Sequence, residues 1–129
     1  MSWPCRLIDR ERQVAEGRQP EVGDMWFAPK MLDPEHDGFY LEHILSAEYK
    51  RDWLGKRPPI FVCLPSASYK GGRWFCVDSR ADGAGEGGWT VTGEPPCITV
   101  TPSINCVGEY HGFIRDGIIG DDVEGRRFE

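Results

Sequence analysis

Residues 98–117, ITVTPSINCVGEYHGFIRDG, alternate between apolar and polar side chains on both sides of a turn. That alternation commits this part of the chain to two strands. Ile98, Val100 and Ile104 share one parity, while Thr99, Thr101, Ser103 and Asn105 take the other. A period of two is the signature of a strand with one face buried. After the turn, Tyr110 and Ile114 form an apolar set with Gly112 between them, and Glu109, His111 and Arg115 are polar. A two-residue loop at Val107-Gly108 would pair Ile104 with His111 and mix the faces, as any slip by one residue does. A three-residue loop, Cys106-Val107-Gly108, pairs Ile104 with Tyr110 and Ser103 with His111, so the faces agree. Gly108 then falls where such a loop favours a left-handed residue. Opposite residues have Cβ atoms about 4.5–5.5 Å apart, within reach of a hydroxyl–imidazole hydrogen bond.

The rest of the chain fits the same architecture. Its 129 residues suffice for one domain with its own core, and 16 glycines with 10 prolines favour many turns over long helices. Further strands are expected at MWFAP after Gly23-Asp24, at IFVCLP (60–65), at RWFCVD and at WTVTG, and Asp116-Gly117 turns the chain again into IIG. Ser46 reads as a helix N-cap, with AEYKRDWL behind it and Gly55 at its end, which predicts a short helix at 47–54. FYLEHILS fits strand or helix, and SRADGAGEGG is a glycine-rich loop without the GK[ST] of a phosphate cradle. The expected fold is mainly β (α+β). It is a single compact domain with an antiparallel sheet, open or barrel-like, and one or two short helices. Residues 1–20 read as a polar lead-in and 21–129 as the β-rich domain.

Composition narrows the function classes. A net charge of −6 with scattered cations lacks the basic footprint of a nucleic-acid binder. No apolar run approaches the roughly 20 residues that span a bilayer. The N-terminus, MSWPCRLIDRERQ, has no apolar signal-peptide core, so the expected compartment is the cytoplasm. Five cysteines, an odd number with no CxxC spacing, read as free thiols, with Cys63 and Cys76 buried inside apolar strands.

Three readings of the hairpin compete. In the first, Ser103 and His111 are surface residues on a solvated strand face. In the second, Ser103 is a nucleophile and His111 the base that takes its proton. A third group would then hold the imidazole by its other nitrogen, with Asp116, Glu109 and Asp78 as candidates. In the third, His111, Cys106, Cys97 and His43 hold a metal, although zinc asks for more compact spacing. Nothing calls for a cofactor, and a source of oxyanion stabilisation is not apparent beyond backbone near Gly93 or Gly112.

The combination GDMWF, LSAEY, GKRPPIFVCLP, GGWTVTGEPPCITVTPSIN and YHGFIRDG resembles the BubE family, across roughly residues 23–128. Members occur in phages and in bacterial operons for ubiquitin-like conjugation, and the family is regarded as serine peptidases. Its most specific matches are WTVTGEPP (89–96), VTPSI (100–104) and HGFIRDG (111–117). Phage relatives carry a cysteine pair after the first strand. This chain reads WFAPK there, which is closer to the operon branch. The resemblance implies a peptidase that matures a ubiquitin-like protein or releases it from conjugates, engaging its C-terminal tail. Ser103 would be the nucleophile and His111 the base, with the third group open between Asp116 and Asp78. A non-catalytic, phage-derived adaptor module is the rival class, with a small metal-binding protein behind it.

Overall fold

The apolar runs become the centre of two sheets. A computed structural model describes residues 1–27, 60–77 and 89–128. Ile60–Leu64 (β4) lies between Asp24–Phe27 (β3) and Arg73–Cys76 (β5), antiparallel to both. Arg6–Leu7 (β2) adds to β3 in parallel and completes a sheet of order β2-β3-β4-β5. The second sheet holds the hairpin, Thr99–Cys106 (β7) and Tyr110–Arg115 (β8), flanked by Thr90–Thr92 (β6) and Ile118–Ile119 (β9). Trp3–Pro4 (β1) closes its far edge, giving the order β1-β9-β8-β7-β6.

Alternation decides which side chains lie between the sheets. Met25, Ile60, Val62 and Leu64 from one sheet form a single core with Val100, Ile104, Tyr110, Ile114 and Ile119 from the other. Each fully buried aliphatic side chain contributes about 1.5–3 kcal/mol. Phe61 and Cys63, of opposite parity, pack on the back of β4 with Trp26 and Cys76, so β4 is buried on both faces. The outer face of the five-stranded sheet instead carries the polar residues of β7 and β8. The domain is mainly β, with two sheets, neither closed into a barrel, and one short helix among the described residues. The predicted strands at MWFAP, IFVCLP, RWFCVD and WTVTG are all present, and the chain after Asp116-Gly117 forms a further short strand. The expected helix at 47–54, FYLEHILS and the glycine-rich loop at 79–88 lie outside the described residues. No helix among the described residues is long and apolar enough to cross a membrane.

Residues 1–20, expected as a polar lead-in, carry two short strands and a helix. β1 pairs with β9 and β2 with β3, so the N-terminal segment joins both sheets. Arg10–Ala15 (α1) follows, its N-cap Asp9 accepting a hydrogen bond from the Arg12 N–H at 3.1 Å. α1 has no apolar stripe. Its buried residue is Gln13, which donates to the buried Asp24 carboxylate at 3.2 Å. Arg6 also donates to Asp24, at 2.8 and 3.0 Å, as does the Glu21 N–H at 2.9 Å. Burial opposes ionisation of Asp24, but these donors outweigh it and hold the carboxyl below the ordinary aspartate value of 3.8. Such a group stabilises the fold fully above its unfolded pKa, and the contribution is lost as pH falls through the lower folded value. Asp24→Asn is therefore expected to cost about 1–2 kcal/mol at pH 7 and to flatten the loss of stability below pH 4. Urea melts at pH 7, 5 and 3 check this; an unchanged acid dependence would remove Asp24 from the account.

Candidate active site

The hairpin register differs from expectation in an informative way. The loop has three residues, but they are Val107-Gly108-Glu109, with Cys106 opposite Tyr110 and Asn105 opposite His111. Glu109 leaves the ladder because the 66–69 turn holds it. Its carboxylate accepts from the Ser66 hydroxyl and the Ser68 N–H, and its carbonyl accepts from the Ala67 N–H. The register moves by two residues, so every side chain keeps its face. At the far end Val100 pairs with Ile114, the register expected from sequence. The difference is absorbed by a bulge between Val100 and Ile104, where Thr101, Pro102 and Ser103 face a single residue of β8. A bulge is where a strand tolerates proline, which has no N–H for the ladder, and it re-aims side chains.

Ser103 sits on that bulge. Its carbonyl accepts from the Trp89 indole at 3.4 Å, and Trp89 packs edge-on against Phe75. Ser103 is thus a diagonal neighbour of His111 rather than its direct partner. Its Oγ nevertheless lies 3.1 Å from His111 Nε2. The His111 side chain is 26 % exposed, open enough to meet a ligand.

The other imidazole nitrogen is also engaged. His111 Nδ1 lies 3.1 Å from Glu124 Oε2, a residue that sequence reasoning did not single out. Asp116-Gly117 makes a two-residue turn, both residues at positive φ, that pairs Arg115 with Ile118 and Ile114 with Ile119. Gly117 is required there, since a Cβ would lie 2.7 Å from the Pro96 carbonyl. Continuing that register by three residues brings Asp122 opposite His111. The structure agrees: the His111 N–H donates to Asp122 Oδ1 at 2.7 Å, and the Val123 N–H donates to the His111 carbonyl at 2.7 Å. The signal for Glu124 was therefore in the sequence, as a tight DG turn followed by an acidic segment.

Arg126 ties this segment together. Its backbone N–H and Nη1 donate to Asp122 at 2.7 and 3.0 Å, and its Nη2 reaches Glu124 Oε1 at 3.3 Å. Burial opposes ionisation of Asp122, but the N–H groups of Arg126 and His111 and the guanidinium charge hold its carboxyl below the usual range. Strand β8 itself is fixed from beneath. Gly112 lies so close to the Tyr110 hydroxyl that a Cβ would meet it, and Tyr110 donates to the Gly120 carbonyl at 2.7 Å.

The other sequence candidates fall elsewhere. Asp116 lies in the turn after β8, five residues beyond His111 and roughly 16 Å along a strand, and its N–H donates to Thr99 Oγ1 at the opposite end. Glu109 faces the 66–69 turn. Asp78 and His43 are outside the described residues. Cys106 takes the buried parity, packing against the core, while His111 faces outward, so the two do not form a ligand pair. Among the described residues no three His, Cys, Asp or Glu side chains converge on a metal position. All five cysteines are free, and burial raises the Cys5 and Cys63 thiols to about 11. A cleft of about 610 Å³ lies away from this site, between α1 and the β2–β3 edge. Its arginines Arg6, Arg12 and Arg18 are paired with Asp24 and Glu16.

Ser103, His111 and Glu124 thus stand in hydrogen-bonded sequence, with the imidazole between the hydroxyl and the carboxylate. No family model, curated protein or solved structure matches this chain.

Proposed function

We propose that the protein is a serine-type hydrolase with Ser103 as nucleophile, His111 as general base and Glu124 as the group that orients the imidazole. The observation that carries this reading is the chain of contacts through one imidazole, 3.1 Å to Ser103 Oγ on one side and 3.1 Å to Glu124 on the other. Nδ1–H donating to Glu124 leaves Nε2 unprotonated and facing the hydroxyl, the tautomer a base needs. Ser103 Oγ then attacks a carbonyl carbon while its proton passes to Nε2. The same proton goes to the leaving group, and water releases the acyl chain by the reverse sequence.

The substrate class follows from the setting. Among the described residues the triad lies on a sheet face rather than in an enclosed pocket, which suits an extended polypeptide better than a small molecule. The resemblance to the BubE family adds the partner: the C-terminal tail of a ubiquitin-like protein, as precursor or conjugate.

An alkyl fluorophosphonate probe tests the chemistry without knowledge of the partner. Wild type is expected to take the label on Ser103, mapped by peptide mass spectrometry, and Ser103→Ala and His111→Ala are expected to take none. A ubiquitin-like protein with a C-terminal extension should be cleaved by wild type alone. Equal labelling of all three proteins, or a label on another serine, would sink the assignment. Tight binding of the partner with neither label nor cleavage would turn the same face into an adaptor surface.

A further inference from the structure

We propose that Asn105 is a catalytic residue of this site, its side-chain amide donating to the oxyanion that forms when Ser103 attacks. This rests on the reading of Ser103 and His111 given above.

Three observations converge on Asn105. It stands directly opposite His111 in the ladder, while Ser103 reaches the same imidazole from the diagonal position. Asn105 therefore shares the outer face with both. It lies two residues from Ser103 on β7, about 6.6 Å along a strand, which leaves room for one substrate carbonyl between the two side chains. Asn105 is also exposed, and among the described residues its side chain has no hydrogen-bond partner. A free primary amide beside a hydroxyl–imidazole pair offers two N–H donors without a bond to break first.

Several alternatives near Ser103 are committed. The Trp89 indole N–H is spent on the Ser103 carbonyl. The His111 N–H is spent on Asp122, and Pro102 has none. Gly112 is held in the ladder against Ile104 and over the Tyr110 hydroxyl, and Gly93 sits at the turn against the Cys97 carbonyl. Neither glycine presents a loop amide to Ser103.

In the proposed step the Ser103 Oγ–carbon bond forms as the carbonyl π pair moves onto oxygen, and the hydroxyl proton goes to His111 Nε2. The new oxyanion accepts from Asn105 Nδ2–H. Collapse restores the carbonyl and breaks the bond to the leaving group, which takes the proton from His111. A donor that meets charge only as it develops raises kcat and leaves ground-state binding nearly unchanged.

The test uses hydrolysis of p-nitrophenyl butyrate by the full chain, with Ser103→Ala as the background. Asn105→Ala is expected to lower kcat about 10²-fold with KM within threefold, the effect typical of losing one oxyanion donor. Asn105→Asp, of the same shape but carrying a charge that repels the oxyanion, is expected to fall further than alanine. Thermal melts should place both within a few degrees of wild type, since the side chain is exposed. A kcat for Asn105→Ala within threefold of wild type would overturn the assignment and leave the Ser103–His111 reading standing. So would a loss confined to KM, or an aspartate variant as active as wild type. Wild-type turnover no faster than Ser103→Ala would overturn both.

Discussion

His111→Ala is expected to slow Ser103-dependent hydrolysis by about 10⁴-fold, with KM for the substrate changed far less. The hydroxyl of Ser103 is a poor nucleophile at neutral pH unless a base takes its proton as the bond forms. Among the described residues, the side-chain neighbour of Ser103 Oγ able to do this is His111 Nε2, at 3.1 Å. Truncation at Cβ removes the imidazole and leaves the backbone pairing, including the His111 N–H to Asp122, which any residue supplies. The space left on an open face is accessible, so added imidazole is expected to restore part of the rate. Glu124→Gln separates the base from the group that orients it. Changing an orienting carboxylate to its amide costs about 10⁴-fold where that group is buried. Glu124 is 47 % exposed, so screening and water weaken its hold, and a loss of about 10–100-fold is expected. The ranking is the sensitive part. A histidine variant no slower than the glutamine variant, or no recovery with imidazole, would mean that His111 is not the base.

How far this site was legible depended on which residues carried a repeating pattern. β7 and β8 were plain because Val100, Ile104, Tyr110 and Ile114 keep one parity and all reach zero exposure. The shared outer face of Ser103 and His111 followed from parity, which survives a two-residue shift in register. The register itself did not follow. It depends on Glu109 meeting Ser66 and Ser68, forty residues and more away in sequence, and on a bulge centred on Pro102. Local pattern carries no information on such a contact. The first twenty residues were opaque for a related reason. β1 and β2 have two residues each, too few to show a period, and α1 is anchored through the Gln13–Asp24 hydrogen bond instead of an apolar stripe. Glu124 lies between these cases. Asp116 sits in the conspicuous DG dipeptide, whose role is to turn the chain. The turn sends β9 back along β8 and delivers an acidic segment to His111 eight residues later.

Asp122→Ala is expected to be the most damaging single change in that segment, costing about 3 kcal/mol of stability and most of the activity of the molecules that remain folded. The Asp122 side chain is fully buried, and three donors converge on it: the His111 N–H, the Arg126 N–H and Arg126 Nη1. Alanine strands all three. Two of them are backbone groups in part-buried positions, where an unmet donor costs about 1–3 kcal/mol. The guanidinium would also lose the carboxylate that aims it at Glu124. The consequence for chemistry is indirect: with the 122–126 segment released, Glu124 no longer holds Nδ1, and Ser103 loses a correctly oriented base. Asp122→Asn keeps the shape and one acceptor, so it should recover part of the stability. The pH dependence supplies a second readout. The Asp122 carboxyl sits below the ordinary aspartate value of 3.8, so its contribution is complete above that value and disappears as pH falls through the folded pKa. Wild type should therefore lose stability below about pH 4 more steeply than Asp122→Asn, measured by urea melts. If instead Asp122→Ala melts within 1 kcal/mol of wild type and keeps its turnover, the buried carboxylate is not what fixes the histidine, and Glu124 must be held by other means.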